Sequence, residues 1–102
     1  MPGLVQGRTA LVTGAAGRIG SSTARALIRE GARVIAVDIS KEQVELAAKQ
    51  LGGQTVGLVA DVGDPLAAEK LVATVESGAK LPDILVNCAG IFPNRPLLDM
   101  DV

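Results

Sequence analysis

At 102 residues, 48% of them hydrophobic, and with a net charge of −1, the chain has room for one cored domain and no more. With one aromatic, Phe92, and basic and acidic residues interleaved, it offers neither the stacking surface nor the basic stripe that nucleic acid requires. A single cysteine, Cys88, excludes an internal disulfide, and the lack of histidine speaks against a zinc site.

The first residues, MPGLV, lack the basic region and long apolar stretch of a secretory signal. No apolar run reaches the length of a membrane span, so the expected location is cytoplasmic, with no membrane and no nucleic-acid partner. The apolar residues are mostly Ala, Val, Leu and Ile, which suit a parallel sheet covered on both faces.

Arg8 to Thr13 (RTALVT) predicts a first strand, followed by a glycine-rich turn from Gly14 to Gly20. A helix is expected over about Ile19 to Glu30, with Gly31 placed as its left-handed C-terminal cap. Arg33 to Asp38 (RVIAVD) is the second strand. Ser40 then caps a second helix, and Gln43, three residues on, completes a capping box. Val44, Ala47, Ala48 and Leu51 share a face of that helix, and Gly52-Gly53 stops it. Thr55 to Ala60 (TVGLVA) is the third strand.

Asp64 caps a third helix whose first residue is Pro65, where a missing N–H costs nothing. Ala68, Leu71, Val72 and Val75 recur at helical spacing, and Gly78 ends the segment. Asp83 to Cys88 (DILVNC) is the fourth strand. The order βαβαβαβ with short connections predicts an α/β chain. It would form part of a three-layer, doubly wound parallel sheet with right-handed crossovers and strand order 3-2-1-4.

The sharpest motif is Thr13-Gly14-Ala15-Ala16-Gly17-Arg18-Ile19-Gly20, set between a strand and a helix. Glycine lets the backbone turn tightly and approach a ligand, and a helix start offers open N–H groups and positive partial charge. A pyrophosphate is the natural occupant. The competing structural explanation is that the glycines only pack the first helix on the sheet.

Asp38 ends the second strand, where a carboxylate can accept from the adenosine ribose hydroxyls and would repel a 2′-phosphate, favouring NAD over NADP. Turn capping is the alternative. Asp61-Val62 follows the third strand and could contact adenine, although Asp in that position is commonly turn chemistry. Asn87-Cys88-Ala89-Gly90 leaves space beside the first strand, and Asn87 could equally tie neighbouring strands. Cys88, without a histidine partner, is expected to face the core.

In this order and spacing, TGAAGRIG, Asp38, Asp61-Val62 and the NCAG segment resemble the short-chain dehydrogenase/reductase family, from about Gly7 to Val102. The resemblance implies a Rossmann fold, a nicotinamide cofactor and hydride transfer between an alcohol and a carbonyl. Gly14, Gly17, Arg18, Ile19 and Gly20 would lie at the pyrophosphate, and Asp38 and Ile39 at the adenosine ribose. Asp61 and Val62 would lie at adenine, and Asn87, Ala89 and Gly90 near the nicotinamide ribose. Homo-oligomers and a small alcohol or carbonyl substrate are implied as well.

The chain departs from the pattern in three ways. Common members read TGxxxGxG, whereas this chain has Arg18 at the middle glycine position and Gly17 one place earlier, similar to the extended branch. Cys88 replaces the second asparagine of NNAG. The Tyr-x-x-x-Lys pair implied for proton transfer is absent, and so is its serine partner, so no catalytic residue is assigned.

Residues 1–102 are therefore expected to be the NAD(P)-binding Rossmann domain alone, stopping before the catalytic half, with the fourth strand an apolar edge open to pairing. Two alternatives are a non-catalytic NAD-binding module acting as sensor or interaction protein, and a fold binding S-adenosylmethionine. The glycine turn and NCAG argue against the latter.

Overall fold

The computed structural model describes residues 3–61, 63–77 and 82–88. The chain runs β1 (Thr9–Thr13), α1 (Arg18–Arg29), β2 (Arg33–Asp38), α2 (Lys41–Leu51), β3 (Val56–Val59), α3 (Pro65–Ser77) and β4 (Ile84–Asn87). All three strand pairings are parallel and the sheet order is β3-β2-β1-β4, as expected for the partial doubly wound sheet.

Alternation along the strands sends successive side chains to opposite faces, each with its own core. On one face Val12 of β1 and Val34 and Ala36 of β2 pack with Ala24 of α1 and Val44 of α2. On the other, Leu11 and Val37 pack with Ala60 and with Val75 of α3. The helices thus cover the sheet from both sides, with α1 and α2 sharing a face opposite α3. The connection out of β1 and the one into β4 pass on opposite sides, which makes the β1–β4 boundary the switch point of the sheet.

The strand ends are trimmed relative to the sequence expectation. Arg8, Thr55, Ala60, Asp83 and Cys88 flank the strands without belonging to them. Strand β3 is largely exposed: Val56 is 41% and Val59 51% accessible. It lies at the sheet edge, and α2 crosses it closely at Gly57, where a Cβ would meet Val44 O at 3.2 Å and Ala48 Cβ at 3.3 Å. Val72 is likewise exposed, because α3 meets the sheet along the narrower ridge of Leu71 and Val75.

At the other edge of the described sheet, Leu85 of β4 pairs in register with Leu11 and is 71% exposed. Cys88, expected in the core, is half-buried just past the end of β4 and stands outside both core clusters. No helix among the described residues is long and apolar enough to cross a membrane. No group of His, Cys, Asp and Glu among them could hold a metal ion.

The capping chemistry differs among the three helices. The Ser40 hydroxyl accepts the Gln43 N–H at 3.3 Å, so the first half of the expected capping box is present. The Ser40 N–H, however, reaches Asp38 Oδ1 at 3.5 Å, and a carboxylate two residues upstream takes the place of the Gln43 side chain. Asp64 Oδ1 accepts the Leu66 N–H at 3.1 Å at the start of α3, with Pro65 the first helical residue as predicted. Gly31, with φ 98°, follows α1 in the left-handed region, and its N–H returns to Ile28 O at 3.0 Å. The Gly78 stop lies outside the described residues.

Candidate cofactor site

The glycine turn folds because its residues meet different physical demands. Gly14 sits at φ 65°, a conformation that L side chains rarely adopt. Its carbonyl accepts the Gly17 N–H at 3.0 Å and closes the turn. Gly20 is buried within the first turn of α1. A Cβ there would overlap the Gly14 carbonyl oxygen and stand 2.8 Å from Gly14 C and 3.0 Å from Ala15 Cα. For Gly20, then, the structural explanation holds: its missing side chain lets α1 lie on the sheet. Gly17 is less constrained, with a Cβ 3.3 Å from Gly14 O.

The turn leaves the start of α1 open. Gly17 is its N-cap and supplies no side chain, and there is no acidic residue in the first turn. The Ser21 N–H bonds to Gly17 O at 2.9 Å. Among the described residues, the N–H groups of Arg18, Ile19 and Gly20 meet no acceptor. Orphan donors at a helix start ordinarily take a cap, water or a ligand. Helices α2 and α3 carry Ser40 and Asp64, whereas α1 carries a glycine. Ile19 is 71% exposed, and the Arg18 side chain is exposed with no ion-pair partner among the described residues.

Asp38 stands beside this turn. Its Oδ2 accepts the Ala16 N–H at 2.9 Å, and its Oδ1 accepts the Ile39 N–H at 2.8 Å. The turn-capping alternative is therefore realised, together with a tie to the glycine turn that the sequence did not suggest. Ala15 adds a second tie, its N–H donating to Val37 O at 3.1 Å. Ile39 follows, 65% exposed.

Asp61 shares this edge of the sheet: the preceding Ala60 N–H bonds to Asp38 O at 2.9 Å. Its Oδ1 accepts the Gly63 N–H at 2.9 Å, which is turn chemistry, and the carboxylate remains exposed. At the switch point the Thr13 hydroxyl donates to Asn87 Oδ1 at 2.8 Å, tying β1 to β4. Val62, Ala89 and Gly90 lie outside the described residues.

The carboxyl edge of the sheet thus gathers the glycine turn, Asp38, Ile39, Asp61 and Asn87. Thr13 and Ala16 belong to the motif, but their bonds to Asn87 and Asp38 are not foreseen from the sequence. Thr13 had a signal, a hydroxyl at the end of an apolar strand. Ala16 had none, because it acts through its backbone N–H.

The model of the short chain dehydrogenase family matches residues 8–102. The chain belongs to the short-chain dehydrogenase family. A short-chain dehydrogenase/reductase of Macrophomina phaseolina is 37% identical over 100 residues, covering 93% of this chain and 57% of the relative. D-threitol dehydrogenase of Mycolicibacterium smegmatis is 41% identical over 101 residues, covering 96% and 39%.

Among solved structures, L-sorbose reductase of Gluconobacter frateurii, complexed with NADPH and L-sorbose, superposes with a TM-score of 0.84 at 28% identity. That alignment covers 99% of this chain and 40% of the reductase. The chain therefore spans roughly two-fifths to three-fifths of these relatives' length. The family consists of Rossmann-fold oxidoreductases that work with nicotinamide cofactors on alcohols and carbonyls.

Proposed function

We propose that this chain is the dinucleotide-binding portion of an NAD-dependent short-chain dehydrogenase that interconverts an alcohol and a carbonyl. The observation that carries the proposal is the open start of α1. Three N–H groups without an acceptor among the described residues, at Arg18, Ile19 and Gly20, follow a turn that is tied through Ala16 to the Asp38 carboxylate at the end of β2. The residues fit the group: the tight turn at Gly14 leaves the backbone at the start of α1 open to a pyrophosphate, and the helix dipole favours its negative charge. The dipole contributes roughly 0.3–2 kcal/mol, so the amide hydrogen bonds carry much of the binding.

Asp38 would hold the adenosine ribose hydroxyls. Its oxygens accept three N–H groups, those of Ala16, Ile39 and Ser40, and since a carboxylate offers about four acceptor sites, room is left for a ribose hydroxyl. Each such charge-assisted bond is worth roughly 1.5–3 kcal/mol. A 2′-phosphate would meet Asp38 as a like charge, which supports NAD over NADP. Arg18, exposed in the first turn of α1, would reach over the phosphates and moderate that preference. Asp61 and Val62 would meet adenine, and Asn87, Ala89 and Gly90 would border the ribose near the nicotinamide.

A bound nicotinamide supplies the hydride donor or acceptor. The chain's own residues bind and orient the dinucleotide. The given sequence contains neither histidine nor tyrosine, and no residue of it is assigned to moving the substrate proton. The alcohol or carbonyl substrate, and any oligomer, are assigned to the whole protein. D-threitol dehydrogenase and L-sorbose reductase, both named for small polyhydroxylated compounds, support that substrate class.

Calorimetric titration with NAD and NADP, on the wild type and on Asp38→Ala, tests the reading. NAD is expected to bind at least tenfold more tightly than NADP, and Asp38→Ala to remove most of that ratio. Equal affinities in the wild type would overturn the assignment of Asp38 to the ribose.

A further inference from the structure

We propose that Asp38 is also a positioning residue for the pyrophosphate turn, holding the loop between β1 and α1 in its binding shape before any nucleotide arrives. The proposal rests on the dinucleotide reading above and extends it from the ribose end of the site to the phosphate end.

The carboxylate bridges two connections. Oδ2 takes the N–H of Ala16, inside the glycine turn, at 2.9 Å. Oδ1 takes the N–H of Ile39 at 2.8 Å and, at 3.5 Å, that of Ser40, the N-cap of α2. One side chain thereby joins the start of α1 to the start of α2. Its backbone continues the link, since Asp38 O accepts from Ala60 past the end of β3.

The Ala16 contact matters because of what surrounds it. Gly14 and Gly17 flank Ala15 and Ala16, and a turn with two glycines has an unusually wide choice of backbone conformations. Two ties restrict it to one. Ala15 N–H is held by Val37 O, a backbone acceptor that no side-chain substitution removes. Ala16 N–H is held by Asp38 alone among the described residues.

The residues just beyond, Arg18 to Gly20, present the N–H groups of α1 that meet no acceptor among the described residues, so the orientation of Ala16 feeds into theirs. Fixing it in advance removes an ordering cost from binding, which is the general benefit of preorganisation. It follows that Asp38 substitutions weaken ligands that never touch the carboxylate.

ADP and its 2′,3′-dideoxy analogue separate the two roles, because the analogue lacks the hydroxyls that Asp38 would hold. On the wild type, ADP binds more tightly than dideoxy-ADP. The proposal predicts that Asp38→Ala weakens dideoxy-ADP by about tenfold, equivalent to 1.4 kcal/mol. If Asp38→Ala lowers ADP affinity to that of dideoxy-ADP while dideoxy-ADP is unaffected, Asp38 is a ribose ligand only. The positioning role then falls, and the dinucleotide reading stands.

If neither nucleotide binds the wild type, both readings fall. Amide hydrogen exchange on the ligand-free wild type gives a test that does not depend on the variant folding. The Ala16 N–H is expected to be protected alongside that of Ala15, and rapid exchange at Ala16 alone would overturn the proposal.

Discussion

Gly20→Val is expected to destabilise the fold by about 3 kcal/mol or more and to abolish dinucleotide binding with it. The first atom of any side chain at Gly20 would overlap the Gly14 carbonyl oxygen, and Gly14 C and Ala15 Cα lie within 3.0 Å. These are backbone atoms, so no rotamer change relieves the clash. The turn could retreat only by giving up the bond from Gly17 N–H to Gly14 O, and α1 only by lifting Ala24 out of the core it shares with Val12 and Val34. Either retreat moves the open N–H groups of Arg18, Ile19 and Gly20. Urea unfolding checks the stability, with Ser22→Val as a control at an exposed position of the same helix. A Gly20→Val midpoint equal to that of the control would mean that α1 does not press on Gly14.

Val12→Asp is expected to leave the chain unfolded. Val12 is fully buried in β1, between β2 and β4, and packs against Ala15, Ala24 and Val34. A carboxylate there would have apolar neighbours, and burying an unpaired charge costs more than the roughly 5–15 kcal/mol by which domains are stable. Val12→Thr keeps the shape and adds one hydroxyl, for which roughly 1–3 kcal/mol is expected. Circular dichroism separates the cases: Val12→Thr retains the wild-type far-ultraviolet spectrum and Val12→Asp loses it. A native spectrum for Val12→Asp would contradict the placement of Val12 in this core.

The elements that were legible in the sequence share a local cause. Ser40, Asp64 with Pro65, and Gly31 announce helix ends through their own chemistry, and each stands where that chemistry predicts. Strand order was legible because four aliphatic runs joined by helical segments leave few right-handed arrangements.

What escaped was set by tertiary position. TVGLVA reads as a strand from its residues alone, but burial depends on what covers it, and β3 lies at the edge of the described sheet with its valines exposed. The Ser40–Gln43 spacing predicts a reciprocal box, and Asp38 takes one half of it from two residues away. At the site, the residue types pointed to a phosphate turn and a ribose carboxylate. The bond from Ala16 to Asp38 did not show, because a backbone donor leaves no mark on side-chain identity.

If the uncapped start of α1 holds a pyrophosphate, an NMR titration of the amide resonances with NAD reports it residue by residue. The largest shifts are expected on Arg18, Ile19 and Gly20, while the first turns of α2 and α3, capped by Ser40 and Asp64, respond far less. Saturable NAD binding that leaves Arg18, Ile19 and Gly20 unshifted would contradict that site for the pyrophosphate.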